Sequence, residues 1–267
     1  MDKTDMKRRG IYLLPNLFTT GAMFAGFYSV VSGINGMYSN AAIALFVAGL
    51  LDGLDGRIAR MTNTQSEFGV QYDSLSDLMS FGMAPGLLAY LWSMSFMKDI
   101  SPGMGKLGWL AAFVYVACAA LRLARFNTQA GVADKNYFQG LASPAAAGSI
   151  ASWVWMLDEL GVQGQDVWIP TLILTVSVAL LMVSNVRYPS FKNMNLGGKV
   201  PFARILLVVL VFTLLAIDPP TVLFGISVIY ILWGIVITIL GLKKHSKSSK
   251  KMRRSGAAKD QSTEKEK

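Results

Sequence analysis

Residues 41–62 read AAIALFVAGLLDGLDGRIARMT, and residues 69–86 read GVQYDSLSDLMSFGMAPG. The first stretch is an apolar run that ends in two carboxylates, Asp52 and Asp55, and two cations, Arg57 and Arg60. The second opens with two further carboxylates, Asp73 and Asp77, and then turns apolar. Asp52 and Asp55 stand at i,i+3 and Asp73 and Asp77 at i,i+4, so each pair occupies one face of a helix. The connection between the stretches is short. It predicts two antiparallel helices whose acids converge at one depth, where one apolar segment ends and the next begins.

The same alternation of long apolar blocks and short polar connections extends to both ends of the chain. The 267 residues are 53% hydrophobic and only 15% charged, with a mean hydropathy of +0.44. A soluble domain carries about 25% charged residues. Apolar segments near the ~20 residues that span a bilayer run over Leu13–Gly33, Ala41–Ile58, Leu78–Phe96, Leu107–Leu123, Ala145–Leu160, Trp168–Val186, Phe202–Ile217 and Thr221–Leu242. The predicted fold is all-α, a polytopic membrane bundle of about eight transmembrane helices. The first block contains Pro15 and Asn16, is too long for the apolar core of a cleaved signal, and leads into further spans.

Charge placement orients the bundle. Lys3, Lys7, Arg8, Arg9, Arg57, Arg60, Arg122, Arg125, Lys135, Arg187, Lys192, Lys199 and the tail fall on one set of connections, and only Lys98 and Lys106 on the other. Connections rich in Lys and Arg stay cytoplasmic, so both termini and all four aspartates are expected on that side of the cell (inner) membrane. The net charge of +9 therefore reports membrane orientation and no nucleic-acid partner. Residues 1–242 form the membrane domain, and the charged, Ser-rich residues 243–267 read as a disordered basic tail facing anionic lipid. A single Cys118 and a single His245 exclude a disulfide framework and a Cys/His zinc site; Cys118 reads as a packing residue.

Four carboxylates do not stay ionised together beside hydrocarbon without compensation, because desolvation and mutual repulsion both oppose it. Either Arg57 and Arg60 pair with them, or a divalent cation does. Helical register, two glycines and membrane depth favour the cation. All-oxygen ligation suits Mg²⁺, Mn²⁺ or Ca²⁺, and carboxylates bridging two ions ~4 Å apart are a common device of phosphoryl chemistry. Gly56 and Gly69 let a phosphate come near backbone, and Arg57 and Arg60 offer cations to its oxygens.

As a pattern, the stretch is D-x-x-D-G-x-x-A-R from Asp52 to Arg60, then G-x-x-x-D-x-x-x-D from Gly69 to Asp77. It resembles the signature of the CDP-alcohol phosphatidyltransferases, with every fixed position filled. The resemblance implies a CDP-diacylglycerol donor, attack by an alcohol, release of CMP, two Mg²⁺ or Mn²⁺ ions and a homodimer. It implies that Asp52, Asp55 and Asp73 are metal ligands, and that Asp77 is both a ligand and the general base. Gly56, Arg60 and Gly69 would contact the nucleotide and its phosphates, and Asn16, in a Pro-Asn pair, could approach the nucleotide.

Arg122-Leu123-Ala124-Arg125-Phe126-Asn127, residues 140–147 and residues 185–192 resemble elements of the serine-using branch of that family, although Ala142 stands where a proline is expected. Serine is a zwitterion and needs a cation for its carboxylate and acceptors for its ammonium. Arg122, Arg125 and Arg187 offer the cation, and Asn127 and Tyr188 offer hydrogen bonds. Siblings using glycerol 3-phosphate, inositol phosphate or choline would also want basic residues, and each arginine could simply anchor the cytoplasmic face. A cation-coupled transporter is the alternative from another class. It would scatter ionisable residues over several midplane helices, whereas these acids cluster at one edge.

Overall fold

The computed structural model describes residues 3–62, 66–129, 137–189 and 202–240, with side chains from Pro15 onward except at 129, 137, 138, 187, 189 and 202–204. Helix α1 (Lys3–Ile34) packs along α2 (Tyr38–Thr62) after a tight turn at Gly36. Helix α3 (Glu67–Asp77) runs without a break through a π-helical turn, Leu78–Met83, into α4 (Ala84–Trp92). A short 3₁₀ turn and α5 (Met97–Ile100) lead to α6 (Pro102–Gln129). Then come β1 (Tyr137–Gln139), α7 (Ser143–Glu159), α8 (Trp168–Val183), β2 (Arg187–Pro189), α9 (Phe202–Ile217) and α10 (Pro219–Leu240). Each predicted apolar segment overlaps helical residues, although Leu78–Phe96 is divided between the π turn, α4 and the 3₁₀ turn, and α8 ends at Val183. Among the described residues, four are long and apolar enough to cross a membrane: Pro15–Ile34, Pro102–Thr128, Gly164–Val183 and Pro219–Leu240.

The described residues differ from an all-α expectation at one place, where β1 and β2 pair antiparallel with Gln139 opposite Arg187. The cause is the turn after β1. Gly140 adopts φ +80°, and its N–H donates to the Val186 carbonyl at 2.9 Å. A side chain at Gly140 would collide with the Met182 carbonyl, so the backbone passes directly over the end of α8 and the two extended segments meet.

The core lies between α2, α4, α6, α7 and α8. Ala41, Leu45, Leu88, Trp92, Tyr115, Ala119, Ile150, Val154 and Met182 meet there. Buried small residues on α2 and α7 allow close helix approach, the packing mode expected where lipid removes the hydrophobic drive between helices. Away from the carboxylates, Asp158 at the end of α7 accepts from the Ser39 N–H at 3.1 Å and from its hydroxyl at 2.5 Å, satisfying an otherwise orphaned donor at the start of α2.

The π turn has a local explanation. Pro85 has no N–H for the carbonyl four residues earlier, that of Phe81. That carbonyl instead accepts from the Tyr115 hydroxyl of α6 at 3.0 Å, and the Ala84 N–H reaches back five residues to Met79. On its other side the turn presses on α1. The Ser80 hydroxyl donates to the Ala22 carbonyl at 3.0 Å, and a Cβ at Gly26 would lie 2.6 Å from Ser80 Oγ. The wider turn thus sits wedged between α1 and α6 immediately after Asp77.

Candidate active site

Helix α2 carries Asp52 and Asp55 one turn apart, and α3 carries Asp73 and Asp77 likewise. Carboxylate oxygens of Asp52, Asp55 and Asp73 all lie within 4.8 Å of one another. The charges of Asp52 and Asp73 both act on Asp77, which places the fourth acid near the other three. Asp55 is only 5% exposed. Its Oδ2 accepts from the Thr19 hydroxyl at 2.7 Å, and the Thr19 carbonyl in turn accepts from the Ser76 hydroxyl at 3.0 Å. One residue of α1 therefore ties both acid-bearing helices together.

Electrostatics defines what is missing from this group. Asp73 and Asp77 precede the third apolar segment. Burial, reinforced by the charges of Asp55 and Asp52, pushes the Asp73 carboxyl up to about 7. Burial, with the charges of Asp52 and Asp73 added, pushes Asp77 up to about 9, although the Arg122 cation pulls the other way. Arg57 and Arg60 are exposed, and among the described residues neither forms an ion pair with these acids. Oδ1 of Asp73 and Oδ1 of Asp77 are buried without a hydrogen-bond partner. Repelling carboxylates with unsatisfied oxygens, in an all-oxygen set, fit a hard divalent cation.

The residues expected at the nucleotide sit on the helices that carry these acids and on α1. Ser66 caps α3 by accepting from the Gly69 N–H at 3.0 Å. A Cβ at Gly69 would lie 3.2 Å from Ser66 Oγ and 3.7 Å from Asn16 Oδ1, so Asn16 and Gly69 face each other across α1 and α3. Thr20, one turn beyond Asn16, lies 2.9 Å from the Tyr72 hydroxyl. Gly56 has its nearest non-local atoms on the Arg60 guanidinium, 3.8 Å from an added Cβ. Helix N-terminal N–H groups beside small residues are apt for phosphate oxygens.

The residues singled out for an acceptor separate into different environments. Arg122 donates to the Ser143 hydroxyl at 2.7 Å, and Asp77 acts on it electrostatically. Arg125 is engaged in a clasp: it donates to Asn185 Oδ1 at 2.9 Å, to Gln139 Oε1, and to the Val183 carbonyl at 3.4 Å. Asn127 donates to Ser74 Oγ at 2.9 Å, next to Asp73. Tyr188 is fully buried against Tyr230 of α10. The backbone of Arg187 pairs with β1; its side chain lies outside the described residues, as do Lys135, Lys192, Lys199 and the tail. Thr19, Ser76 and Ser143 were not singled out from sequence. The signal available was weak: hydroxyl residues in apolar helices usually bond to their own backbone, as Thr20 also does with the Asn16 carbonyl at 2.7 Å.

A carboxylate cluster able to hold a divalent cation, where one apolar helix ends and the next begins, with glycines and a helix N-terminus beside it, has the chemistry of a membrane phosphotransferase. Residues 12–183 match the CDP-alcohol phosphatidyltransferase family. The chain is 34% identical over 226 residues to a CDP-diacylglycerol–serine O-phosphatidyltransferase of Helicobacter pylori, covering 85% of this chain and 91% of that one. It is 30% identical over 213 residues to the protein of the same name in Methanocaldococcus jannaschii, covering 80% and 91%. Archaetidylserine synthase of Methanothermobacter thermautotrophicus is 34% identical over 193 residues, covering 72% and 76%. The chain belongs to the CDP-alcohol phosphatidyltransferase family and is an integral membrane protein.

Proposed function

We propose that the chain transfers the phosphatidyl group of CDP-diacylglycerol to the hydroxyl of L-serine and releases CMP. The observation that carries this is the convergence of Asp52, Asp55 and Asp73, with Asp77 acted on by the charges of Asp52 and Asp73, in a chain whose relatives bear the serine transferase name. Bound Mg²⁺ or Mn²⁺, in two copies, would be held by these four carboxylates and would neutralise charge on the diphosphate. Asn16, Gly56, Arg60 and Gly69 bind and orient the nucleotide and its phosphates. Arg122 orients the acceptor beside Asp77. Asp77 takes the hydroxyl proton as the serine oxygen bonds to the phosphatidyl phosphorus; the bond between that phosphorus and the bridging oxygen breaks, and CMP leaves. Arg125 is a weaker candidate for acceptor binding than Arg122, because its donors already serve protein oxygens.

The test is CMP release from CDP-diacylglycerol with a panel of alcohols. L-serine is expected to be the preferred acceptor, and ethanolamine, which lacks the carboxylate, a poor one. Equal use of ethanolamine, or preference for glycerol 3-phosphate, inositol phosphate or choline, would remove serine from the proposal and leave the family chemistry standing.

The eight helical segments are all read as spans of the cell membrane, with both termini and the acid cluster cytoplasmic, residues 1–242 as one domain and 243–267 as a basic tail. Likeness to the family is also the ground for expecting two chains to pair. Reporter fusions check the topology. Fusions after Lys98 or Glu159 are expected to report outside, and those after Lys135, Lys192 or Lys244 inside. An outside signal after Lys192 would remove the sixth span and place Arg187 on the wrong face.

A further inference from the structure

Among the buried polar atoms without a partner in the described residues are Oδ1 of Asp77, Nε of Arg122 and the hydroxyl of Tyr188. They come from α3, α6 and β2, far apart in sequence. A buried polar atom without a partner is costly, so each of these atoms calls for a group to meet it. Tyr230 of α10 links them. Its ring lies 5.2 Å from that of Tyr188, and with Asp77 it is among the groups that act electrostatically on Arg122. The contact is built into α10: one turn after Tyr230, any side chain at Gly234 would collide with the Tyr188 ring. Helix α10 therefore rests on Tyr188 through a glycine and carries a second phenol beside it.

This arrangement matches the three functional groups of a small hydroxy amino acid. Asp77 suits the hydroxyl, and the guanidinium of Arg122 suits the carboxylate. An ammonium needs hydrogen-bond acceptors and is drawn to aromatic faces, and paired phenols supply both. Resting on the serine reading above, we propose that Tyr188 and Tyr230 hold the ammonium group of the acceptor while Arg122 holds its carboxylate, so that α10 completes the acceptor pocket. Tyr230 is then a specificity-determining residue contributed from outside the stretch that matches the family, which ends at residue 183.

Tyr188→Phe and Tyr230→Phe each remove one oxygen and keep the ring. In the full chain, assayed by CMP release, each is expected to raise the KM for L-serine about tenfold, the loss of one hydrogen bond to a charged group, with the CDP-diacylglycerol KM unchanged. The preference for serine over 3-hydroxypropionate, which keeps the hydroxyl and carboxylate but lacks the ammonium, is expected to shrink by the same factor. Gly234→Ala, which touches neither oxygen, is expected to raise the serine KM by displacing α10. An unchanged serine KM in both Phe variants overturns the proposal. So does equal weakening of serine and 3-hydroxypropionate, or a parallel rise in the donor KM. A parent enzyme that turns over another alcohol and not serine would instead overturn the serine reading, and this proposal with it.

Discussion

Replacing Asp52, Asp55 or Asp73 by Asn is expected to stop CMP release. The side chains remain nearly the same size and can still hydrogen-bond, so folding is disturbed little and the change falls on charge. Oxygens of these three carboxylates lie within 4.8 Å of one another. Removing one negative ligand from such a group weakens a hard cation far more than the roughly 10–100-fold that follows loss of a supporting outer contact. The outer contact has its own counterpart here. Thr19→Val leaves the three ligands in place and removes only the 2.7 Å hydrogen bond to Asp55, so its effect should fall within that smaller range. Excess EDTA should reproduce the Asn phenotypes in the parent enzyme, and Mg²⁺ or Mn²⁺ should restore activity to the parent and not to the Asn variants. Full turnover in excess chelator would show that the acids work without a cation. The unpartnered oxygens of Asp73 and Asp77 would then need another explanation.

The acid cluster was legible in the sequence because its geometry is local. Spacings of three and four residues fix which side chains share a helix face, and the short connection from Arg60 to Gly69 brings the two faces together. The support around the cluster was not legible, because it depends on partners far along the chain. The Thr19–Asp55 bond joins residues 36 apart, and Ser76 reaches Thr19 across 57. The π turn follows from Pro85, which sequence shows, but it is stabilised by Tyr115, which only the packing of α6 against α4 reveals. The arginines illustrate the same limit. On sequence alone Arg122 and Arg125 are equivalent cytoplasmic cations three residues apart. In the fold, Arg125 fastens the β1–β2 region to the end of α8, while Arg122 keeps a buried, unpartnered Nε beside Asp77. The β pair itself escaped detection because three-residue strands leave no periodic signal.

Asp77→Asn is expected to separate base from ligand. Among the four acids, Asp77 is the one on which the Arg122 cation acts, and it stands outside the three whose oxygens meet within 4.8 Å. If it accepts the proton of the attacking hydroxyl, its loss acts in the transition state and only slightly on the bound donor. An amide at this position cannot take that proton, so kcat should fall by roughly 10²–10⁴, the usual contribution of a positioned base. The CDP-diacylglycerol KM and the binding of Mn²⁺, followed by electron paramagnetic resonance, should change little by comparison. The Asp52, Asp55 and Asp73 variants should show the opposite pattern, with metal binding lost along with turnover. A loss of Mn²⁺ binding in Asp77→Asn as deep as theirs would make Asp77 chiefly a ligand. The proton acceptor would then have to be sought among the remaining groups that face Arg122.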